Sequence, residues 1–245
     1  MNKHKIAIFV EGQAEYIFVR EFLQKWYGYD PEHLGIECYA FRSDKTNNVP
    51  YPFGDRNSEI FYQIYNVGND NSVLSKIMKN AERLKNAGFQ LIIGLSDMFC
   101  DQYHKTSGLP RTIKEETNQL FIQKRQNIIK EKKLQDFVHY HFAIMEVEAW
   151  FLGMYQYLLK IDTKLTPKYI LKNLDVNLNN DPETTIYHPA KVLDDIYGLV
   201  NNKYGKHESD INKITGLLDK TDFENLINSD RCHSFKDFAT DILCV

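Results

Sequence analysis

One segment constrains the fold more than any other. Residues 89–95, FQLIIGL, form the most apolar stretch of the chain and stop at Ser96-Asp97. A half-buried strand alternates apolar and polar residues. A short run without alternation, bounded by polar turns, fits a strand buried on both faces. Such strands belong to parallel sheets covered by helices on either side. The neighbouring pattern agrees. Residues 6–10 are a short apolar run ending in Glu11-Gly12, and a helical pattern follows with Ile17, Phe18, Phe22, Leu23 and Trp26 on one side. Residues 36–41, 59–67 and 139–145 read as further strands. Residues 72–84, closed by Gly88, 112–133 and 148–159 read as helices. Residues 44–55, with Pro50 and Pro52, and 101–110 read as polar loops, and 68–71 as a turn.

Strands alternating with helical crossovers predict an α/β fold with a mostly parallel sheet flanked by helices. After about residue 160 the pattern changes. Segments near 167–173, 189–203, 208–217, 221–228 and 233–243 all look helical. The expectation is an α/β core over 1–160 and a helical C-terminal part over 161–245 packed on it.

Composition narrows the function. The chain has 245 residues, enough for a sizeable core, and 33 acids against 30 bases, a formal charge of −3. That excludes binding nucleic acid by bulk positive charge alone. No apolar run approaches the length that spans a bilayer, so no membrane partner is expected. The start, MNKHKIAIFVEG, reads as a first strand rather than a signal peptide. Cys38, Cys100, Cys232 and Cys244 are scattered, with no CxxC pair, which points to a reduced cytoplasmic compartment. Fifteen tyrosines and fifteen phenylalanines are a heavy aromatic load.

In an open parallel sheet, ligands bind beyond the carboxyl ends of the strands. Three predicted strands end in an acid: Glu11, Asp97 and Glu146. Glu15, Asp101 and Glu148 follow within a turn or two residues. Carboxylates gathered at one point repel one another and need a counter-charge to stay ionised. For an all-oxygen set the usual partner is Mg²⁺ or Mn²⁺, which suits phosphoryl chemistry. A metal would also give a protein of net charge −3 the local positive field to hold a phosphodiester of DNA or RNA. The structural alternative is that such acids merely serve solvent or a helix first turn.

Other candidates are weaker. His139 and His141 share one strand face and suit either a metal pair with Glu146 or hydrogen bonds to neighbours. His104 and His188 fall in loops within reach of a phosphate. Between Arg111 and Lys133 stand seven bases and three acids, either a nucleic-acid contact or a solvated face. From 170 to 245 there are 13 acids and 8 bases, among which Lys191, Lys206 and Arg231 are expected to turn inward, toward phosphate or the carboxylates. The VEG turn lacks GxGxxG spacing and no GxxxxGK[ST] occurs, so neither a dinucleotide nor a P-loop site is present.

VEGQAE at 10–15, LSD at 95–97 and EVEAWFLG at 146–153 resemble the TOPRIM fold as found in a large group of bacterial TOPRIM-like proteins related to nucleases of the overcoming-lysogenisation-defect type. Pro182-Glu183, Lys191, Tyr204 with Lys206, and Cys232-His233-Ser234-Phe235 echo the same group, and the resemblance covers roughly 4–243. It implies a TOPRIM-like core that binds Mg²⁺ and acts on DNA or RNA, with service in phage defence or repair. Glu11 and Glu15 match the family's first-strand acids, Asp97 the first aspartate of its Asp-x-Asp motif, and Glu146 and Glu148 its Glu-x-Glu pair. The second aspartate of that motif falls on Phe99. Asp101 is the substitute if the chain turns back. Otherwise the departure implies a one-metal site, or a non-catalytic subunit that binds nucleic acid or a partner ATPase or defence protein. Monomer and homodimer remain open.

Overall fold

The computed structural model describes residues 4–42, 45–51, 53, 56–68, 72–108 and 111–243. Asp44, Pro52, Asp55, residues 69–71, Pro110 and Cys244 lie outside them. The strands are β1 (His4–Val10), β2 (Leu34–Arg42), β3 (Lys45–Val49), β4 (Ile60–Asn66), β5 (Leu91–Asp97) and β6 (Val138–Ala143). They make one six-stranded sheet in the order β3-β2-β4-β1-β5-β6. β1 runs parallel to β4 and β5, and β2 parallel to β4. The Ile92 N–H donates to the Phe137 carbonyl and the Met98 N–H to that of Ala143, advancing together as parallel neighbours do. The chain is α/β with a mostly parallel sheet, and the apolar run supplies β5, which pairs with β1.

β3 corrects the loop expected over 44–55. It pairs antiparallel with β2, Cys38 opposite Val49, at the sheet edge. Its sequence KTNNV is polar and exposed, which protects an edge from further pairing but hides the strand from a hydrophobic pattern.

Twelve α-helices are described. Those before β6 are α1 (Gln13–Trp26), α2 (Val73–Asn86), α3 (Asp101–Ser107) and α4 (Glu115–Glu131). After it come α5 (Glu148–Gly153), α6 (Leu158–Ile161), α7 (Pro167–Leu174), α8 (Pro182–Thr185), α9 (Pro189–Gly198), α10 (Glu208–Leu217), α11 (Lys220–Ile227) and α12 (His233–Ile242). α3 replaces the loop expected from 101. It is short and polar, ends on Gly108 at φ 65°, and is held by buried Tyr103, whose hydroxyl donates to Asn118 Oδ1 at 2.7 Å.

α5 also stops earlier than the helix expected over 148–159. At Gly153 a Cβ would lie 2.8 Å from Cys232 Sγ and 2.9 Å from Leu226 Cδ1. Only glycine fits so close an approach, and the next turn re-forms as a 3₁₀ turn at Tyr155–Tyr157.

The chain forms two compact units. Unit 1 comprises residues 1–96, 121–142 and 241–245; unit 2 comprises 97–120 and 143–240. Unit 1 accounts for much of the aromatic load. Phe9, Tyr65 and Tyr39 stand in register across β1, β4 and β2 and stack at ring-centroid distances of 4.5 and 5.0 Å. Aromatic neighbours of this kind add to the pairing of adjacent strands. Unit 2 has its own centre in Trp150, which stacks on Phe238 and lies beside Phe235.

Candidate metal centre

Three of the predicted acids meet within unit 2. One ligand oxygen from each of Asp97, Glu146 and Glu148 lies within 4.8 Å of the others, a group able to hold a metal ion. Backbone pairing puts two of them together. Past the ends of β5 and β6, the Met98 N–H donates to the Ala143 carbonyl at 3.2 Å and the Phe99 N–H to the Met145 carbonyl at 2.8 Å. Met145 adopts φ 65°, a left-handed conformation rare in a non-glycine residue, at the point where the chain turns from β6 into α5. The turn carries Glu146, and Glu148 opens α5 two residues later.

One oxygen of each carboxylate accepts a hydrogen bond. Asp97 Oδ1 accepts the Val147 N–H at 3.1 Å. Glu146 Oε2 accepts the Ala190 N–H at 3.0 Å, in the first turn of α9, where the helix dipole favours negative charge. Glu148 Oε1 accepts the Tyr204 hydroxyl at 2.6 Å. The remaining oxygens face one ammonium group. Lys206 Nζ lies 3.5 Å from Asp97 Oδ2, 3.2 Å from Glu146 Oε1 and 3.2 Å from Glu148 Oε2.

This answers the repulsion that the sequence poses. Glu148 is fully buried and Glu146 is 5% exposed, so the pair needs a counter-charge close by. Lys206 supplies it from a residue at φ 59°, directly after Gly205. Burial and the adjacent Glu148 hold the Tyr204 phenol far above its ordinary range, so it remains a donor. The Tyr204 and Lys206 pair thus grips both oxygens of one carboxylate.

The other predicted residues have different surroundings. Glu11 and Glu15 belong to unit 1. Buried Glu15 reaches back to accept the Gly12 N–H at 2.9 Å, capping α1. Glu11 follows β1, and its N–H donates to the Leu95 carbonyl. Asp101 opens α3 and is exposed. Lys191 pairs with Asp194 and Asp195 on its own helix. Arg231 donates to the Leu178 and Gly153 carbonyls at 2.9 Å each, a structural clamp. His139 Nδ1 and His141 Nε2 each lie 2.8 Å from Asp241 Oδ2 in unit 1. Glu183 accepts the Trp150 indole N–H at 3.0 Å and the Ser234 N–H at 3.1 Å, and burial pushes its carboxyl up to about 7.

Two supports of the centre have no signal in the sequence. The Val147 and Ala190 donors are backbone groups, which any residue but proline supplies. His188 reaches the centre from the start of α9, its Nε2 3.7 Å from Glu146 Oε2.

The donor set is all oxygen, anionic and convergent, which fits a hard divalent cation better than a soft one. Among the described residues no helix is long and apolar enough to cross a membrane. No family model, curated protein or solved structure matches the chain.

Proposed function

We propose that this chain is a Mg²⁺- or Mn²⁺-dependent phosphodiester hydrolase acting on DNA or RNA, built on a TOPRIM-like fold. The observation that carries the reading is the convergence of Asp97 Oδ2, Glu146 Oε1 and Glu148 Oε2 on a single cation position, with each opposite oxygen fixed by a hydrogen bond. A bound divalent ion supplies Lewis-acid polarisation of a phosphodiester oxygen and a more acidic water. Asp97, Glu146 and Glu148 hold it. The fixed oxygens keep the carboxylates from turning away, so the site is organised before substrate arrives. Lys206 neutralises the acids in the resting protein. Its side chain is 36% exposed, so with a divalent ion held by the three acids its ammonium would be available to a phosphate oxygen of the substrate. Service in phage defence or repair follows from the resemblance.

The test is incubation with single- and double-stranded DNA and RNA under Mg²⁺, Mn²⁺ or EDTA. Metal-dependent cleavage by the wild type, lost in Asp97→Asn, is the expected result. No cleavage under any of these conditions refutes the hydrolase reading.

A second reading rests on Lys206 itself. An ammonium that already satisfies three carboxylates suits a non-catalytic subunit that binds nucleic acid or a partner ATPase. Calorimetry with Mn²⁺ separates the two, because this reading expects no binding heat.

A further inference from the structure

Unit 2 holds a cavity of about 880 Å³ whose lining includes His188, the neighbour of Glu146. Its size falls in the range of small-molecule sites. Phe99 and His188 line it; Phe99 follows Asp97 by two residues, and His188 Nε2 lies 3.7 Å from Glu146 Oε2. The two rings stack at 4.3 Å and 14°. Tyr187 packs edge-on to Phe99 with centroids 5.6 Å apart, and its hydroxyl hydrogen-bonds His104. Arg111, an exposed residue, lines the same cavity.

We propose that this cavity binds an unpaired nucleotide of a nucleic-acid strand, with its base on the Phe99–His188–Tyr187 platform and its phosphate near Arg111. The inference rests on the hydrolase reading for its orientation: the neighbouring phosphodiester then reaches Asp97 and Glu146. Aromatic faces hold bases of any sequence by stacking, and a cation beside them tracks the backbone. Inside a duplex every base is covered on both faces by its neighbours, and only the two terminal pairs offer one face each.

The experiment uses the full chain in EDTA, so that binding is read without cleavage. The probe is a ten-nucleotide single strand of DNA or RNA with a 2-aminopurine at its 3′ end, and a blunt duplex of the same sequence is the control. Stacking quenches the fluorophore. The expected result is quenching by the wild type with the single strand only. Phe99→Leu should weaken binding roughly 5- to 100-fold and abolish the quench. Arg111→Ala, at an exposed position that does not threaten folding, should weaken binding and lower its salt dependence by about one charge. Unchanged quenching and affinity in both variants, or equal binding of the blunt duplex, overturns the proposal. Cleavage by the wild type in Mn²⁺ with an unaltered Phe99→Leu quench would remove this inference and leave the hydrolase. A quench lost in Phe99→Leu, with no cleavage under any metal, would remove the hydrolase and leave the nucleotide site.

Discussion

Lys206 Nζ lies 3.2 Å from Oε2 of Glu148, a carboxylate with no solvent exposure, while Tyr204, two residues earlier, donates to its Oε1. One turn of loop therefore neutralises the most buried acid of the centre. Removing the ammonium leaves that charge uncompensated. Lys206→Met is expected to lose about 3 kcal/mol of stability without divalent ions, the scale for breaking a buried pair. Mn²⁺ should restore most of it and bind more tightly than to the wild type, since it no longer competes with a tethered cation. Thermal melts with and without Mn²⁺ check both statements.

Asp97 and Glu146 each turn one oxygen to the Lys206 ammonium, at 3.5 and 3.2 Å. Asp97→Asn and Glu146→Gln keep the shape and the held hydrogen bonds but remove one charge each. Under the proposed function, either should weaken Mn²⁺ binding and lower the cleavage rate by about 10²- to 10⁴-fold. Calorimetry and single-turnover cleavage provide the readings. Retained binding with retained cleavage would dismiss these acids as ligands.

Asp241 bridges His139 and His141, each ring nitrogen 2.8 Å from the same oxygen. Although burial opposes it, hydrogen bonding to the two rings holds the Asp241 carboxyl well below its usual range. The same bond raises His139. The Asp241 contribution is present above about pH 4 and is lost as pH falls through its folded value. The His139 contribution is complete below about pH 6.5 and is lost as pH rises through its own. The pair therefore stabilises most between about pH 4 and 6.5, by no more than about 1 kcal/mol because both groups are partly exposed. Between pH 5.5 and 8, urea melts should show the wild type losing up to about 1 kcal/mol more than Asp241→Asn, which keeps every other titrating group.

Glu183 behaves in the opposite sense from an ordinary surface acid. Burial raises its carboxyl to about 7, so between about pH 4 and 7 the folded chain holds a proton that the unfolded chain has released. Its effect is a loss of stability as pH rises across that interval, on the order of 3 kcal/mol. Glu183→Gln should remove this slope, so that the variant gains on the wild type at pH 8 relative to pH 5. Equal slopes in denaturant melts would contradict the assignment.

Gly153 has no room for a side chain, with Cys232 Sγ 2.8 Å from the position of an added Cβ. Gly153→Ala is expected to destabilise by about 1–3 kcal/mol through overpacking. Because α5 begins at Glu148, the same change should also weaken Mn²⁺ binding under the proposed function. Gly198→Ala, where no atom lies within 4 Å, is the matched control and should leave both unchanged.

The buried strand at 91–97, the parallel core around it and the acids at its edge were legible because they rest on local rules. An apolar run without alternation has few other places to go, and an acid directly after it must fall at the strand end. Polar elements escaped for the converse reason. β3 and α3 carry little hydrophobic pattern, and their stability comes from the neighbours that they pair with or bury Tyr103 against.

For the site, the sequence by itself determined which acids end β5 and follow β6, and that they would need a positive partner. It could not choose among Lys191, Lys206 and Arg231, since each is a cation in a helix-rich stretch and differs only in what lies near it after folding. The tertiary structure decided that. Lys191 meets aspartates one helical turn away, Arg231 meets backbone carbonyls, and Lys206 alone of the three is carried to Asp97, Glu146 and Glu148. Strand ends are fixed by short-range pattern. A counter-ion from 109 residues further along the chain than Asp97 is fixed only by packing.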